Sequence, residues 1–544
     1  MSDGVIDPAA SAPVALAGRV VTMDDLGTVV DEGVLYARDG AIVDVLTAHD
    51  PPPAGFEDVG VQHVQGTLLP GLIELHNHLP YDVLSLWQVP RLFTNRDQWS
   101  SSSTPDYHRL ISGPMGVLGR DQDVVPAIVR YVEVRALLGG TTTSQGIALA
   151  SNAGIVSHFR GLVRNVESTQ DPELPPATTH IADIEATEAE HFLARISGTQ
   201  KLILHLSEGT DARAREHFLA LHLPDGRWAI SPNLIGIHCA ALTADDFTVF
   251  ADHGGSMVWS PLSNLLLYGK TADLGAALAA DVPVALGSDW APSGSKNLLG
   301  ELKVAQLAAP GAGAEVSARD LVAMATTTPA RMLGWDTKLG SLEKGKRADL
   351  IVVKGTTGDP YQTLIDATEA DFNLVMINGV ARVGTPALMA HLGDTTEKVT
   401  VGGRDRMLNL AQPGADPEVA AETVADASTI LKQALAALPD AGVEPSARQP
   451  ASGGDERPRL AVAGVVDNHM SPRPHLPLHG QLTGPNLRDQ AAAPTVSAAA
   501  PQPFPALRLD HLAAVDNPSY YERLATESNL PAPIRDALAD LAPD

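Results

Sequence analysis

Apolar strand candidates alternate with helical stretches along the middle of the chain, from about residue 70 to residue 335. This alternation predicts an α/β fold, because parallel strands need long crossovers that are usually helices. The segment is about 265 residues long, close to the size of a (β/α)8 TIM-like barrel, about 250 residues. A doubly wound sheet is the alternative, but no Gly-x-Gly-x-x-Gly motif follows an early strand. The predicted strands include 141–144, 161–166, 201–206, 234–238, 256–259 and 283–286.

Short strands separated by turns lie on both sides of this segment. Residues 14–69 are rich in Val, Ile and Leu, and Asp39-Gly40 is typical of a hairpin turn. The same pattern returns from residue 339. We therefore expect one discontinuous β domain, formed by residues 1–69 and 336–399, beside a barrel at 70–335.

The composition changes beyond residue 400. An alanine-rich stretch predicts helix, and a region dense in Pro, Ala, Gly and Ser follows it. We expect three segments that make an Ala/Pro-rich C-terminal extension: a helical extension at 400–440, a Pro/Ala-rich irregular segment at 441–505 and a helical tail at 506–544.

Charge and cysteine content exclude several classes of protein. The formal net charge of −27 argues against a nucleic-acid partner. Cys239 is the single cysteine, so any metal must be held by His, Asp or Glu. The N-terminus carries acids where a signal peptide carries positive charge, and its apolar stretch at 12–17 is too short for a membrane span. We therefore expect a cytoplasmic protein with no membrane partner.

Polar residues follow several of the predicted strands directly. His76 and His78 end an apolar run, and side chains two residues apart lie on the same face of a strand. The carboxyl ends of parallel barrel strands meet at one rim, so polar residues at other strand ends converge with this pair. Together they predict a metal site. The additional residues are His205, Glu208, His238 and Asp289.

The sequence around these residues resembles the amidohydrolase superfamily over about residues 14–385. Within that superfamily it most resembles the mononuclear branch, which holds cytosine and guanine deaminases and triazine hydrolases. The motifs that carry the resemblance are Pro-Gly-Leu-Ile-Glu-Leu-His-Asn-His, His-Leu-Ser-Glu, Ile-His-Cys, Ser-Pro-Leu-Ser-Asn, Leu-Gly-Ser-Asp and Gly-Ser-Leu-Glu-Lys-Gly-Lys-Arg-Ala-Asp-Leu. The resemblance implies a distorted barrel beside a β-sandwich, a homo-oligomer, and one Zn²⁺ or Fe²⁺ at the barrel mouth. The ligands it implies are His76, His78, His205 and Asp289.

The resemblance also implies catalytic roles. Glu208 would move a proton to the leaving group or a ring nitrogen, His238 would bind the attacking water or the oxyanion, and Asp289 would accept the proton of that water. Two departures matter. Lys201, the one lysine near a middle strand, lies at the wrong end of that strand to bridge two metals. Trp259-Ser260 stands where triazine-hydrolase relatives often have a histidine.

Candidate substrate contacts lie in an insertion at 79–120 and in the Ser-Pro-Leu-Ser-Asn motif. Aromatic side chains of the insertion would cap a planar substrate, or would pack the loop onto the barrel. Arg96 would pair with a substrate carboxylate, or would form a structural salt bridge. The predicted substrate-binding residues are Trp87, Arg96, Trp99, Ser263 and Asn264.

These features predict a metal-dependent hydrolase that cleaves a non-peptide C–N bond of a small molecule with metal-activated water. Hydrolytic deamination of a cyclic or heteroaromatic amidine-like substrate is the favoured reaction. Hydrolysis of a linear or cyclic amide, or of another leaving group on a similar ring as in a dechlorinase, is the alternative. A non-catalytic metal-binding scaffold is a further alternative.

Overall fold

The computed structural model describes residues 12–100, 104–180, 189–441 and 503–542. The predicted irregular segment at 441–505 therefore lies almost entirely outside the described residues. The strands are β1 Val14–Val21, β2 Val29–Arg38, β3 Ala41–Thr47, β4 Val61–Pro70, β5 Leu72–Glu74, β6 Thr141–Ser144, β7 Arg164–Asn165, β8 Thr178–His180, β9 Leu202–Leu206, β10 Leu234–His238, β11 Ser256–Trp259, β12 Val284–Leu286, β13 Leu350–Lys354, β14 Phe372–Ile377, β15 Val380–Gly384, β16 Glu397–Val401 and β17 Arg404–Leu408.

Helices connect most of the barrel strands and continue into the C-terminal part of the chain. Among the described residues, none of them combines the length and apolarity needed to cross a bilayer. The α-helices are α1 Pro105–Tyr107, α2 Gly113–Leu118, α3 Val125–Leu138, α4 Ala189–Ile196, α5 Ala212–Leu219, α6 Ala244–Asp252, α7 Pro261–Tyr268, α8 Leu274–Ala279, α9 Leu298–Ala308, α10 Ala318–Ala323, α11 Thr327–Leu333, α12 Pro360–Asp366, α13 Pro386–Leu392, α14 Pro417–Ala421, α15 Val424–Ala436, α16 Pro518–Thr526 and α17 Ala532–Ala539.

Strands β5 to β12 follow one another in chain order in two parallel ladders, β5-β6-β7 and β8-β9-β10-β11-β12. Backbone hydrogen bonds cross the two places where the ladders are interrupted. The Ala177 amide donates to the Val166 carbonyl over 3.0 Å, and the Asp289 amide donates to the His76 carbonyl over 3.0 Å. The predicted α/β architecture of parallel strands and connecting helices is confirmed.

The period-two alternation of β9 explains how the barrel presents its polar residues. Leu202 and Leu204 pack outward with the large core that includes the helices, whereas Ile203 packs inside with residues of the neighbouring strands. His205 follows Ile203 by two positions, so its side chain continues the inward row at the carboxyl end of the strand.

The sequence analysis places β6, β10 and β11 at their observed bounds, but it misses β8. This strand is only three residues long and reads Thr-Thr-His after two prolines. It therefore lacks the apolar run that marks the other barrel strands. It is a strand because it pairs in parallel with β9.

The strands on either side of the barrel segment combine in one nine-stranded sheet with the order β16-β17-β15-β14-β13-β4-β1-β2-β3. Asp39 and Gly40 have φ values of 53° and 76° and form the predicted turn between β2 and β3. The sheet continues past residue 399, where the helical extension is predicted to begin. Residues 397–408 are a β-hairpin, because inward Val399 and Val401 alternate with exposed neighbours, and the first helix after it begins at Pro417.

Buried ion pairs connect the separate parts of the chain. Arg164 on β7 pairs with Asp349 and donates a 2.7 Å hydrogen bond to Asn378 Oδ1, which joins the barrel to the nine-stranded sheet. In the C-terminal tail, the Asp510 carboxylate lies 2.8 Å from Arg135 Nη1 and 2.5 Å from Lys296 Nζ. The tail is therefore joined to the barrel by buried charges.

Candidate metal centre

His76 and His78 lie just beyond the end of β5, and the backbone of Asp289 fixes their positions. The Asp289 amide donates to the His76 carbonyl over 3.0 Å, and the His78 amide donates to the Asp289 carbonyl over 2.7 Å. The two imidazole rings are 5.1 Å apart between centroids. The strand ends therefore align two histidines with one carboxylate.

His205 and His238 extend this cluster from β9 and β10. The His76 ring centroid lies 4.8 Å from that of His205 and 5.0 Å from that of His238. Ligand atoms of His76, His78 and His205 lie within 4.8 Å of one another, and the same holds for His76, His238 and Asp289. The predicted strand-end residues thus meet in one place, and all of them are buried.

The Asp289 carboxylate uses its two oxygens differently. Oδ1 lies 3.0 Å from His76 Nε2 and 3.4 Å from His78 Nε2. Oδ2 accepts a 2.5 Å hydrogen bond from the Ser263 hydroxyl. Burial alone raises the pKa of Asp289, but His76, His238 and His78 together hold it below its usual value. The carboxylate is therefore ionised at neutral pH.

Burial favours the neutral form of His78, His205 and His238, the form that binds metals. Burial lowers the pKa of His78 to about 3, and it holds the pKa values of His205 and His238 well below the usual range. The buried Nδ1 atoms of His76 and His205 have no hydrogen-bond partner. Buried polar atoms are rarely left in this state. Neutral imidazoles beside an ionised carboxylate therefore fit a divalent metal ion.

Left-handed backbone conformations turn the chain at the barrel mouth. His238 pairs in register with Leu206, whose side chain packs outward. With φ at 67°, His238 departs from strand geometry and its side chain joins the cluster instead. Asp289 also has φ at 67°. Such conformations are costly for non-glycine residues and concentrate at functional sites.

Glu208 lies beside the histidine cluster, where the chain leaves β9. Its Oε2 atom is 3.8 Å from His238 Nε2 and 3.4 Å from Arg96 Nε. Its Oε1 atom accepts a 2.7 Å hydrogen bond from the Tyr268 hydroxyl. Tyr268 is absent from the sequence prediction. The one signal for it is its position on α7, four residues after Asn264 and so on the same helix face.

Ser263 and Asn264 are completely buried, and neighbouring site residues use their polar groups. Asn264 Nδ2 donates to His238 Nδ1 over 3.0 Å, which leaves the His238 proton on Nε2, the nitrogen that faces Glu208. Ser263 thus contacts Asp289 and Asn264 contacts His238. The role of this pair in substrate binding stays a prediction.

The aromatic residues of the insertion and Trp290 form a layer that reaches the histidines at one end. The Trp290 ring lies 5.6 Å from His78 and 6.1 Å from Trp99. Trp87 is one ring further away, 6.5 Å from Trp99 and 6.3 Å from Phe93. Of the predicted substrate contacts in the insertion, Arg96 and Trp99 therefore lie near the site, whereas Trp87 packs against the loop.

Comparison with known proteins agrees with this geometry. Residues 176–382 match the amidohydrolase family. A 5-methylthioadenosine/S-adenosylhomocysteine deaminase of Symbiobacterium thermophilum is 34% identical over 386 residues, which cover 62% of this chain and 84% of that protein. A protein of the same name from Moorella thermoacetica is 26% identical over 399 residues, covering 65% of this chain and 90% of the relative.

A solved structure shares the fold. The crystal structure of an adenosine deaminase from Xanthomonas campestris with bound zinc superposes with a TM-score of 0.52 at 20% sequence identity, covering 68% of this chain and 92% of that chain. Identity of 34% across most of a relative's length, together with the family match, establishes the ancestry of the sequence. The chain belongs to the amidohydrolase family.

Proposed function

We propose that the protein is a metal-dependent hydrolase that removes an amino group from a carbon of a heteroaromatic ring. The observation that carries the proposal is the pairing of Glu208 with His238 beside the buried His/Asp cluster, with 3.8 Å between Oε2 and Nε2. A carboxylate and an imidazole next to a metal site are the groups that hydrolytic deamination needs for proton transfer.

The ligands that we propose for one Zn²⁺ or Fe²⁺ ion are His76, His78, His205 and Asp289. The assignment is supported by the burial of all four side chains, by the lowered pKa values of His78 and His205, and by the ionised Asp289 carboxylate. When bound, the ion supplies Lewis acidity that makes water nucleophilic near neutral pH. The donor types suit both ions, so metal analysis must distinguish them.

The protein's own groups would carry the protons of the reaction. Asp289 accepts a proton from the attacking water, and His238 uses its Nε2 proton to stabilise the oxyanion that forms on the ring carbon. Glu208 transfers a proton to the amino nitrogen, which leaves as ammonia when the C–N bond breaks. One water is consumed and an oxygen replaces the nitrogen on the ring.

An aminopurine nucleoside is the first substrate class to test, because the relatives in two bacteria are named as deaminases of methylthioadenosine and S-adenosylhomocysteine. The layer of Trp99 and Trp290 beside His78 supports a planar substrate. Hydrolysis of an amide, or of another leaving group on a similar ring, is the alternative that the same assay resolves. The homo-oligomer stays a prediction, and light scattering of the purified protein tests it.

The test combines metal analysis with a substrate panel. Purified protein is assayed for ammonia release from 5-methylthioadenosine, S-adenosylhomocysteine, adenosine, guanine, cytosine and aminotriazines. We expect about one metal ion per chain and turnover of one substrate class. Glu208→Gln should retain the metal but lower the turnover rate by about 100-fold or more. Asp289→Asn should lose both activity and metal. A protein without stoichiometric metal, or a Glu208→Gln variant with wild-type turnover, would overturn the proposal.

A further inference from the structure

Trp99 and Tyr268 form a buried chain of hydrogen bonds that ends on Glu208. The Trp99 indole Nε1 donates to the Tyr268 hydroxyl oxygen over 2.9 Å, and the Tyr268 hydroxyl donates to Glu208 Oε1 over 2.7 Å. Trp99 comes from the insertion and Tyr268 from the last turn of α7. We call this chain of hydrogen bonds the indole–phenol relay. All three side chains are buried.

The direction of the relay is fixed by chemistry. An indole N–H can only donate, so the Tyr268 oxygen must act as its acceptor. The Tyr268 proton is then directed to Glu208 Oε1, which acts as the final acceptor. The second carboxylate oxygen, Oε2, lies on the side of His238 Nε2 and Arg96 Nε, at 3.8 Å and 3.4 Å. The two oxygens of Glu208 therefore have different surroundings.

We propose that Tyr268 and Trp99 are positioning residues that assign separate tasks to the two oxygens of Glu208. Oε1 stays an acceptor for Tyr268 throughout the reaction. Oε2 takes up a proton from water and gives it to the leaving amino nitrogen, so the Oε2–H bond breaks as the new N–H bond forms. This inference rests on the proposed deamination and adds to it which atom of Glu208 transfers the proton.

The relay also gives the insertion a chemical task. Its two bonds join residues that are 169 and 60 positions apart in sequence, and they connect the insertion and α7 to the end of β9. A carboxylate that loses such a partner can rotate and move its second oxygen. Misplacement of a reacting group by about 1 Å can cost about 100-fold in rate.

Kinetics of relay variants test the positioning role. We expect Tyr268→Phe to lower kcat by about 10- to 100-fold with KM and metal content unchanged. Trp99→Phe should lower kcat less, and the double variant should match Tyr268→Phe, because Trp99 acts through Tyr268. Tyr131→Phe is the control, since it also removes a buried hydroxyl hydrogen bond, to the Asp510 carbonyl, away from Glu208.

The outcomes separate this inference from the proposed function. Wild-type kcat in Tyr268→Phe, beside an inactive Glu208→Gln, would overturn the relay and leave the deaminase proposal intact. Additive effects of the two relay substitutions would also overturn it. Wild-type activity in Glu208→Gln would instead contradict the proposed function.

A second measurement needs no substrate and reports the hydrogen bond of Trp99 directly, whatever the activity of the variant. The chain has six tryptophans, so the indole N–H signals of ¹⁵N-labelled protein form a small set in an NMR spectrum. Trp99→Phe assigns the Trp99 signal. We expect Tyr268→Phe to shift this signal upfield, Glu208→Gln to shift it less, and Tyr131→Phe to leave it in place. An unchanged Trp99 signal in Tyr268→Phe would refute the relay.

Discussion

Ser263 Oγ donates a 2.5 Å hydrogen bond to Asp289 Oδ2, while Oδ1 of the same carboxylate lies 3.0 Å from His76 Nε2. The serine thereby determines which oxygen of Asp289 faces the histidines. Mutation of a residue that hydrogen-bonds to a metal ligand typically lowers metal affinity or activity by about 10- to 100-fold.

The first prediction concerns this serine. Ser263→Ala should lower metal affinity or kcat/KM by about 10- to 100-fold without unfolding the protein. Metal titration and steady-state kinetics measure the effect. Ser428→Ala is the control, because its hydroxyl bonds the Val424 carbonyl within remote α15. Equal behaviour of the two variants would show that Ser263 does not orient Asp289.

The second prediction concerns metal retention in acid. Burial lowers the pKa of His78 to about 3, against 6.5 for an ordinary histidine, and His205 and His238 shift in the same direction. Protons therefore should not compete with the metal for His78 and His205 at pH 5. We expect equal metal content after dialysis at pH 5 and pH 7.5, measured by mass spectrometry. Metal loss with a midpoint near pH 6.5 would contradict this.

The third prediction concerns the pH dependence of stability. Glu301 on α9 is buried, its Oε1 accepts the Leu262 amide over 3.0 Å, and burial raises its pKa from 4.5 to about 8. The folded state therefore binds more protons than the unfolded state between pH 4.5 and 8. The free energy of unfolding should fall as pH rises across this window, by at most about 1.4 kcal/mol per pH unit.

Glu301→Gln removes this titration and should flatten the slope, whereas exposed Glu315→Gln should not. Urea unfolding at pH 5, 6.5 and 8 measures the free energies. A Glu301→Gln protein with the wild-type slope would assign the pH dependence to other groups.

The fourth prediction concerns the C-terminal tail. Asp510→Asn leaves Arg135 and Lys296 buried without their shared carboxylate, which lies 2.8 Å from one and 2.5 Å from the other. Breaking a buried pair in this way costs about 3–5 kcal/mol. Denaturant unfolding should show this loss. Asp225→Asn, which breaks an exposed pair with Arg227, should change stability little. Equal stability of both variants would contradict a structural role for the tail.

The strand-end histidines could be predicted from the sequence because barrel topology converts distant positions into neighbours. In a parallel sheet, an apolar run that ends in His205 predicts an inward histidine at the carboxyl end of the strand, because Ile203, two positions earlier, also points inward. His238 needed more than this rule. Its register places it opposite an outward leucine, and only the left-handed backbone turns it into the site.

The remaining contacts follow from three-dimensional packing that no local pattern reports. From the sequence, Tyr268 is expected to be a core residue like the three leucines before it in α7, yet its hydroxyl donates a hydrogen bond to Glu208. Ser263 and Asn264 stand in a motif that suggests the site, but the orientation of the helix decides that they contact Asp289 and His238. The β16–β17 hairpin likewise depends on pairing with β15, which lies earlier in the chain.

The pairing of Arg135 with Asp510 has a consequence for how the protein is made. The two residues are 375 positions apart, and Lys296 precedes the same carboxylate by 214. During translation, both cations leave the ribosome long before the group that neutralises them. A nascent barrel therefore holds Arg135 and Lys296 without this carboxylate until Asp510 has been synthesised.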